Sequence, residues 1–364
     1  MEQITVCITT INKPTFLVDL LNNAKKYNYT DYNIIIIGDY KSPKDNKAYI
    51  NGLAKKYKVD IRYLTVEDQK KLLKKYKLLD SILPYNWGGR KMLANFLSIK
   101  EKSKITIQLD DDNFILNNNF FGSHSVVGKK IKVKLYKKDN QWFNVYESLN
   151  VDKNLKIYPR GFFQKYRFQN AKNNQYTKSI KIAACNGLVL NDPDIDAFTR
   201  LYWPIKVNSV KKKYLPRFGL YPNTWSTWNN QNTSTYDEVT KVYFTPQSVG
   251  RNADIWSSLV VCKISSFFNE TIVFGNPVVR QDRNKHDLHK DIIDESICNL
   301  HNENFINLLR QIKLNKKSYV ECMMELIDKS REILKIEKNE NFKKTVLGFF
   351  SEYEKWLEEV DNIK

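Results

Sequence analysis

The chain of 364 residues contains only five cysteines, Cys7, Cys185, Cys262, Cys298 and Cys322, and no two of them form a CxxC pattern. An odd, scattered set in so long a chain argues against a disulfide framework. It reads as the reduced, buried thiols of a cytoplasmic protein. Long apolar runs are also missing. The longest, such as residues 34–37, are strand-sized, far short of the ~20 residues that a membrane-spanning helix needs. Met1, Glu2 and Gln3 lead directly into a strand-like run, which fits neither a signal peptide nor a transit peptide. Twelve glycines and ten prolines are too few for a collagen-like or linker-type chain. The patterns GxSxG, HExxH, GxxxxGKS/T and GxGxxG do not occur. The usual hydrolase, zinc-protease, P-loop and dinucleotide signatures are therefore absent.

What the sequence does have is positive charge, aromatic rings and enough apolar residues for a core. Lys and Arg number 59 against 40 Asp and Glu, a net charge of +19. Residues 301–364 hold 12 of each sign, so the first 300 carry the whole excess. A basic surface attracts phosphate-rich partners: nucleotides, anionic lipid or nucleic acid. Apolar residues make up 42%, which excludes wholesale disorder.

Periodicity divides the chain in three. Residues 4–9, 32–38, 59–63 and 104–109 read as strands, and 16–27, 66–76 and 91–100 as helices. That alternation predicts an α/β fold with a mostly parallel central sheet flanked by helices. Residues 129–138 alternate lysine with Ile131, Val133 and Leu135, which predicts an antiparallel hairpin with residues 142–146. Residues 205–245 are polar, aromatic and weakly periodic, 253–268 helical, and 272–279 a strand. From 291 to 360 the pattern is helical throughout. We expect a catalytic unit over 1–295, with a nucleotide-binding half at 1–112 and an acceptor half at 113–295, followed by a helical appendage over 296–364.

The strongest chemical feature is Leu109-Asp110-Asp111-Asp112-Asn113. Successive carboxylates at the end of an apolar strand repel one another in a half-desolvated place, and a cation relieves that cost. Carboxylate oxygens suit Mg²⁺ or Mn²⁺, which keep positions open for diphosphate oxygens. Asp110 and Asp112 share a face of an extended segment and are the candidate metal ligands. Both Thr9 and the triplet fall at strand ends, where ligands of parallel sheets sit. A second feature is the run from Tyr158 to Arg167, with Arg160 and Arg167 as candidate phosphate or carboxylate partners. A third is Asn252-Ala253-Asp254-Ile255-Trp256, where Asp254 is either a helix N-cap or a carboxylate facing a sugar. His286, Asp287 and His289 form a short polar cluster.

These motifs, with Cys185-Asn186-Gly187 and Gly275-Asn276-Pro277, follow one another in an order that resembles the reversibly glycosylated polypeptides. That family includes the plant UDP-arabinopyranose mutases and is related to the STELLO proteins. The stretches Ser42-Pro43-Lys44-Asp45, Leu83-Pro84-Tyr85 with Arg90-Lys91, and Gln231-Asn232-Thr233 are closer to the STELLO branch. The resemblance spans roughly residues 1–295 and implies a GT-A-like glycosyltransferase fold. It further implies a UDP-sugar donor and a Mn²⁺ or Mg²⁺ cofactor on the acidic triplet. Arg160, Arg167 and Asp254 become candidate catalytic residues, and Thr9, Asp39, Arg90 and Asp111 candidate nucleotide-sugar contacts. The mutases carry a histidine at the place of Gln281, so His286 or His289 is the candidate substitute ligand. The expected activity is metal-dependent glycosyl transfer to a glycan or lipid-linked acceptor, at the inner face of an anionic membrane. Homo-oligomerisation through the C-terminal helices is a further expectation. Rival readings are a UDP-sugar mutase, a catalytically inactive scaffold on the same fold, and a basic nucleic-acid-binding protein, which lacks a suitable motif.

Overall fold

The computed structural model describes residues 3–363, apart from the side chain of Cys298. The N-terminal part alternates as the periodicity requires: β1 (Ile4–Thr10), α1 (Leu17–Lys26), β2 (Tyr32–Gly38), α2 (Asn46–Tyr57), β3 (Ile61–Leu64), α3 (Val66–Leu73), α4 (Lys77–Ile82), α5 (Met92–Lys100) and β4 (Ile105–Asp110). The middle adds β5 (Asn113–Ile115), α6 (Phe120–His124), β6 (Lys130–Lys138), β7 (Leu149–Val151), β8 (Asn173–Asn191), α7 (Ala197–Tyr202), β9 (Val207–Val210), β10 (Arg217–Leu220), β11 (Asn232–Tyr236), α8 (Asp237–Val242), α9 (Ala253–Phe267) and β12 (Thr271–Gln281). Three helices close the chain: α10 (Leu288–Gln311), α11 (Tyr319–Leu334) and α12 (Glu340–Asp361).

The strands form one sheet in the order β3-β2-β1-β4-β11-β8-β6-β10-β12-β5, with β7 and β9 attached beside β8. The first four are parallel. Their near-continuous apolar runs suit burial on both faces. Beyond β4 the directions mix: β11 runs antiparallel to β4 and β8, and β6 antiparallel to β8, while β12 is parallel to β8. The sheet is therefore mixed, not mostly parallel. The hairpin expected between residues 129–138 and 142–146 does not form. β6 pairs along its length with the first half of β8, and Trp142 makes only a single bridge to Trp225. The 19-residue β8 offers an alternating partner of matching length, which the short stretch after β6 cannot.

β11 is the unexpected element. Asn232-Thr233-Ser234-Thr235-Tyr236 is polar, yet every residue is buried at the centre of the sheet. Its side chains find partners there. His124 on α6 meets Asn232 Oδ1 (2.9 Å) and Ser234 Oγ (3.1 Å), Asn232 Nδ2 donates to Gly187 O, and Thr235 pairs with Thr240. Buried polar groups are tolerated when so satisfied.

The C-terminal helices share the main core. Trp256 on α9 stacks on Phe305 of α10 at 4.0 Å between ring centroids, and Trp356 of α12 stacks on Phe244 at 4.9 Å. Tyr319 Oη of α11 donates to Glu270 (2.8 Å). The boundary expected at 295/296 falls inside α10. Cys7, Cys185, Cys262 and Cys322 are buried free thiols; the Cys298 thiol lies outside what is described. Among the described residues no helix is long and apolar enough to cross a membrane.

Candidate functional site

Chain order reverses direction in the sheet between β1 and β4: β2 and β3 lie on one side of β1, β4 on the other. At such a switch point the flanking connections part and leave a crevice beyond the strand ends. A cleft of about 410 Å³ opens there, within the size range of small-ligand sites. It gathers Thr9, Asp39, Asp110, Asp111, Asp112, Arg160, Asp254 and His286 from far apart in the chain. A larger cavity, about 630 Å³, lies at the opposite end of β4, near Thr106, Asp237 and Val360. It holds none of the residues singled out above, so the chemistry points to the smaller one.

Each carboxylate of the triplet has its own partners. Lys91 Nζ contacts Asp110 Oδ1 and donates to Asn230 O (3.0 Å). Its side chain is 1% exposed, whereas that of Asp110 is 36% exposed. Asp111 accepts from Thr10 Oγ1 (2.7 Å), the Ile11 amide (3.2 Å), Asn12 Nδ2 (3.1 Å) and Asn284 Nδ2 (3.2 Å). Asp112 accepts from Gln281 Nε2 (3.2 Å) and the Asn284 amide (3.1 Å). Burial, then the neighbouring Asp110 charge, pushes the Asp112 carboxyl up to about 6, although these hydrogen bonds pull the other way. Gln281 thus lies against the triplet, and it meets Asp112 as a hydrogen-bond donor.

Facing the triplet is a second charged group. Arg160 Nε and Nη2 donate to Asp194 (3.0–3.2 Å), and Nη2 also donates to Asp254 (3.1 Å). Its Nη1 donates to the Arg251 carbonyl. That carbonyl follows Gly250, whose φ of 54° and ψ of −132° belong to backbone that only glycine adopts readily. The two carboxylates differ. Burial raises both, but Arg160, then Arg283, more than offset it at Asp194, which stays well below the usual carboxylate range. At Asp254 burial prevails over Arg160, and the carboxyl is raised. Asp254 is therefore the member placed to take up a proton. It is not an N-cap: Asn252 holds that position, and Asp254 lies inside the first turn of α9.

Two expected contacts lie outside the cleft. Arg90 is fully buried beneath it, with Nε on Gln69 Oε1 (2.9 Å) and its guanidinium over the Tyr85 ring at 3.7 Å. The next residue, Lys91, reaches the triplet. Gly88–Lys91 is a 3₁₀ turn, and successive side chains there point about 120° apart. Arg167 pairs with Asp196 (3.0 Å) and does not line the cleft. Asp39 accepts from the Asn86 amide (2.8 Å) and the Tyr40 amide (2.6 Å), which fixes the 86–89 wall. Thr9 Oγ1 donates to Ile37 O (3.2 Å). His286 faces Asp291 (3.1 Å), and His289 lies in the first turn of α10. Among the described residues no group of three or more His, Cys, Asp or Glu side chains is placed to hold a metal ion. Sequence reading missed Lys91, Asp194, Arg283 and Asn284. Asp194 alone carried a signal, its place in the acidic run of residues 192–196.

No protein-family model matches the chain, and no curated protein matches it in sequence.

Proposed function

We propose that the cleft binds a nucleotide-diphosphate sugar and that the protein is a glycosyltransferase of GT-A type. The observation that carries this reading is the position of the triplet. Asp110, Asp111 and Asp112 stand at the switch-point end of β4, across one cleft from Arg160 and Asp254. Thr9, Asp39 and the 86–89 wall would take the nucleoside side. Arg160, bonded to both Asp194 and Asp254, holds Asp254 at the cleft wall without needing to reorganise. Asp254, with its raised carboxyl, accepts the proton of the attacking acceptor hydroxyl.

Asp110 and Asp112 offer carboxylate oxygens to a divalent cation whose remaining positions substrate phosphates would fill. Three carboxylates and Lys91 leave a formal −2 at the triplet. Mg²⁺ is commonly held by one or two carboxylates plus substrate phosphates, and Asp110 and Asp112 would hold it here. Held by Asp110 and Asp112, such an ion would supply Lewis-acid neutralisation of the diphosphate. His286, already facing Asp291, has no part in that set.

The test is a thermal-shift series of nucleotide-sugars with and without Mn²⁺, since a ligand bound to the native state raises apparent stability. The expected result is a rise with a UDP-sugar that exceeds the rise with UDP or sugar alone. No rise with any nucleotide-sugar would remove the reading. A UDP-sugar mutase would use the same cleft. Ring-isomer product from protein and UDP-sugar without an acceptor would favour that alternative.

A further inference from the structure

The segment that carries Asp194 into the cleft continues outward into α7 and ends at Leu201-Tyr202-Trp203-Pro204, all exposed. Phe198 is 57% and Tyr202 76% exposed, and Phe168 on the neighbouring loop is 74% exposed. Phe198 and Tyr202 stand one turn apart on α7. Tyr202 and Trp203 touch at 5.1 Å. Arg167 pairs with Asp196 at the start of α7, and so ties the 164–168 loop to that helix. Phe168 is held by Tyr158, whose Oη accepts from the Phe168 amide (2.7 Å). Lysines stand around the rings. Lys153 lies over Trp203 at 5.7 Å and Lys156 over Tyr158 at 5.6 Å, and Lys165 and Lys206, in the segments that carry Phe168 and Trp203, are exposed. The acids among them, Asp152 and Glu303, are fewer. Asp152 accepts the Lys206 amide, and Glu303 lies 3.7 Å from Lys165.

A large exposed apolar patch on a soluble-looking surface marks an interaction site. Tyr and Trp favour the membrane–water boundary, with an apolar body and a polar tip. Lysines beside them are attracted to anionic headgroups. A second copy of the same patch would instead set lysine against lysine, which disfavours a self-complementary contact. We propose that this patch docks the protein on an anionic lipid surface, with Tyr202, Trp203, Phe198 and Phe168 in the headgroup region. Asp194, which lines the cleft, and Trp203 are nine residues apart, so one chain segment joins the patch to the cleft wall. The inference does not depend on the chemistry proposed for the cleft, because vesicle binding involves no turnover.

The test is co-sedimentation of the full-length protein with vesicles of phosphatidylcholine alone or with about one-third phosphatidylglycerol. Binding is expected only to the anionic vesicles, and it should weaken in about 0.5 M salt, where surface charge is screened. The double variant Tyr202→Ser, Trp203→Ser should bind at least about tenfold more weakly. Lys153→Gln with Lys156→Gln should lose much of the salt-sensitive part. All these side chains are exposed or half-exposed, so the melting temperature should hold. The proposal is overturned by equal binding to neutral vesicles, by no binding at all, or by variants that bind like the parent. It is also overturned if the ring variant abolishes self-association in light scattering, or binding of a single-stranded oligonucleotide, and leaves vesicle binding intact. Melting shifts with nucleotide-sugars serve as the separate readout for the cleft.

Discussion

β4 and β11 are hydrogen-bonded neighbours, buried alike, and built on opposite chemistry. β4 is Ile-Thr-Ile-Gln-Leu-Asp and delivers carboxylates to the cleft at its end. β11 is Asn-Thr-Ser-Thr-Tyr and delivers amide-bearing residues Asn229, Asn230 and Gln231 at its start. One strand is stabilised by apolar burial, the other by a closed set of side-chain hydrogen bonds. The first announces itself in sequence and the second does not. The second is also the more fragile, because removing one member leaves others buried and unpaired.

The comparison is broken most severely at Arg160, which anchors the β11 side through Asp194 and its bond from Asn229 Nδ2 (2.8 Å). Sequence alone suggests that Arg160→Ala costs activity far more than stability. The buried geometry reverses this. Asp194 and Asp254 would lose the guanidinium that they hydrogen-bond, at a cost of about 3–5 kcal/mol. Urea unfolding should show it, and an unchanged midpoint would mean that the pair is not structural. His124→Ala is next. It opens a cavity and takes the partner from Asn232 Oδ1, while Ser234 Oγ keeps its bond to the residue-124 carbonyl, and a loss of about 2–4 kcal/mol is expected.

The same histidine gives the pH dependence. Burial lowers its imidazole to about 4, against a bond to the accepting Asn232 Oδ1 that raises it. Its folded value is depressed, so its neutral form stabilises the protein fully above about 6.5. That contribution is lost as pH falls from there through 4. Melting curves across this range should steepen in the parent and be flatter in His124→Gln. A parent insensitive to pH here would mean that the imidazole reaches water.

Smaller effects sharpen the β4 side. Asp112→Asn removes a carboxylate whose charge burial already opposes, so stability at pH 7 should hold or rise. The Mn²⁺-dependent shift with nucleotide-sugar should disappear, and calorimetric binding like that of the parent would refute the site. Lys91→Met exchanges a buried ammonium for an apolar chain of similar length. Because Asp110 is partly solvated, the stability cost should stay near ~1 kcal/mol, while nucleotide-sugar affinity falls about tenfold.

What was readable in sequence follows the same division. β1, β2 and β4, the helix holding Asp254 and the placement of the triplet at a strand end came from apolar periodicity, because burial there is achieved with apolar side chains. β11 gave no such signal, since its partners, His124 and Gly187, are distant in sequence. The mixed character of the sheet was hidden for a related reason: strand direction depends on which segment pairs with β8, and alternating lysines do not state their partner. Arg90 and Lys91 could not be told apart as the cleft residue until the 3₁₀ turn fixed their directions. Asp194 was missed because Asp192, Asp194 and Asp196 alternate in one run, and only the fold shows which of them meets Arg160.

The stacking of Trp256 on Phe305 and of Trp356 on Phe244 has a practical corollary. A version trimmed at residue 295 would lose the lid over both rings. Bare indole and phenyl faces would then meet solvent, and such a fragment should clump on expression, whatever the state of its cleft.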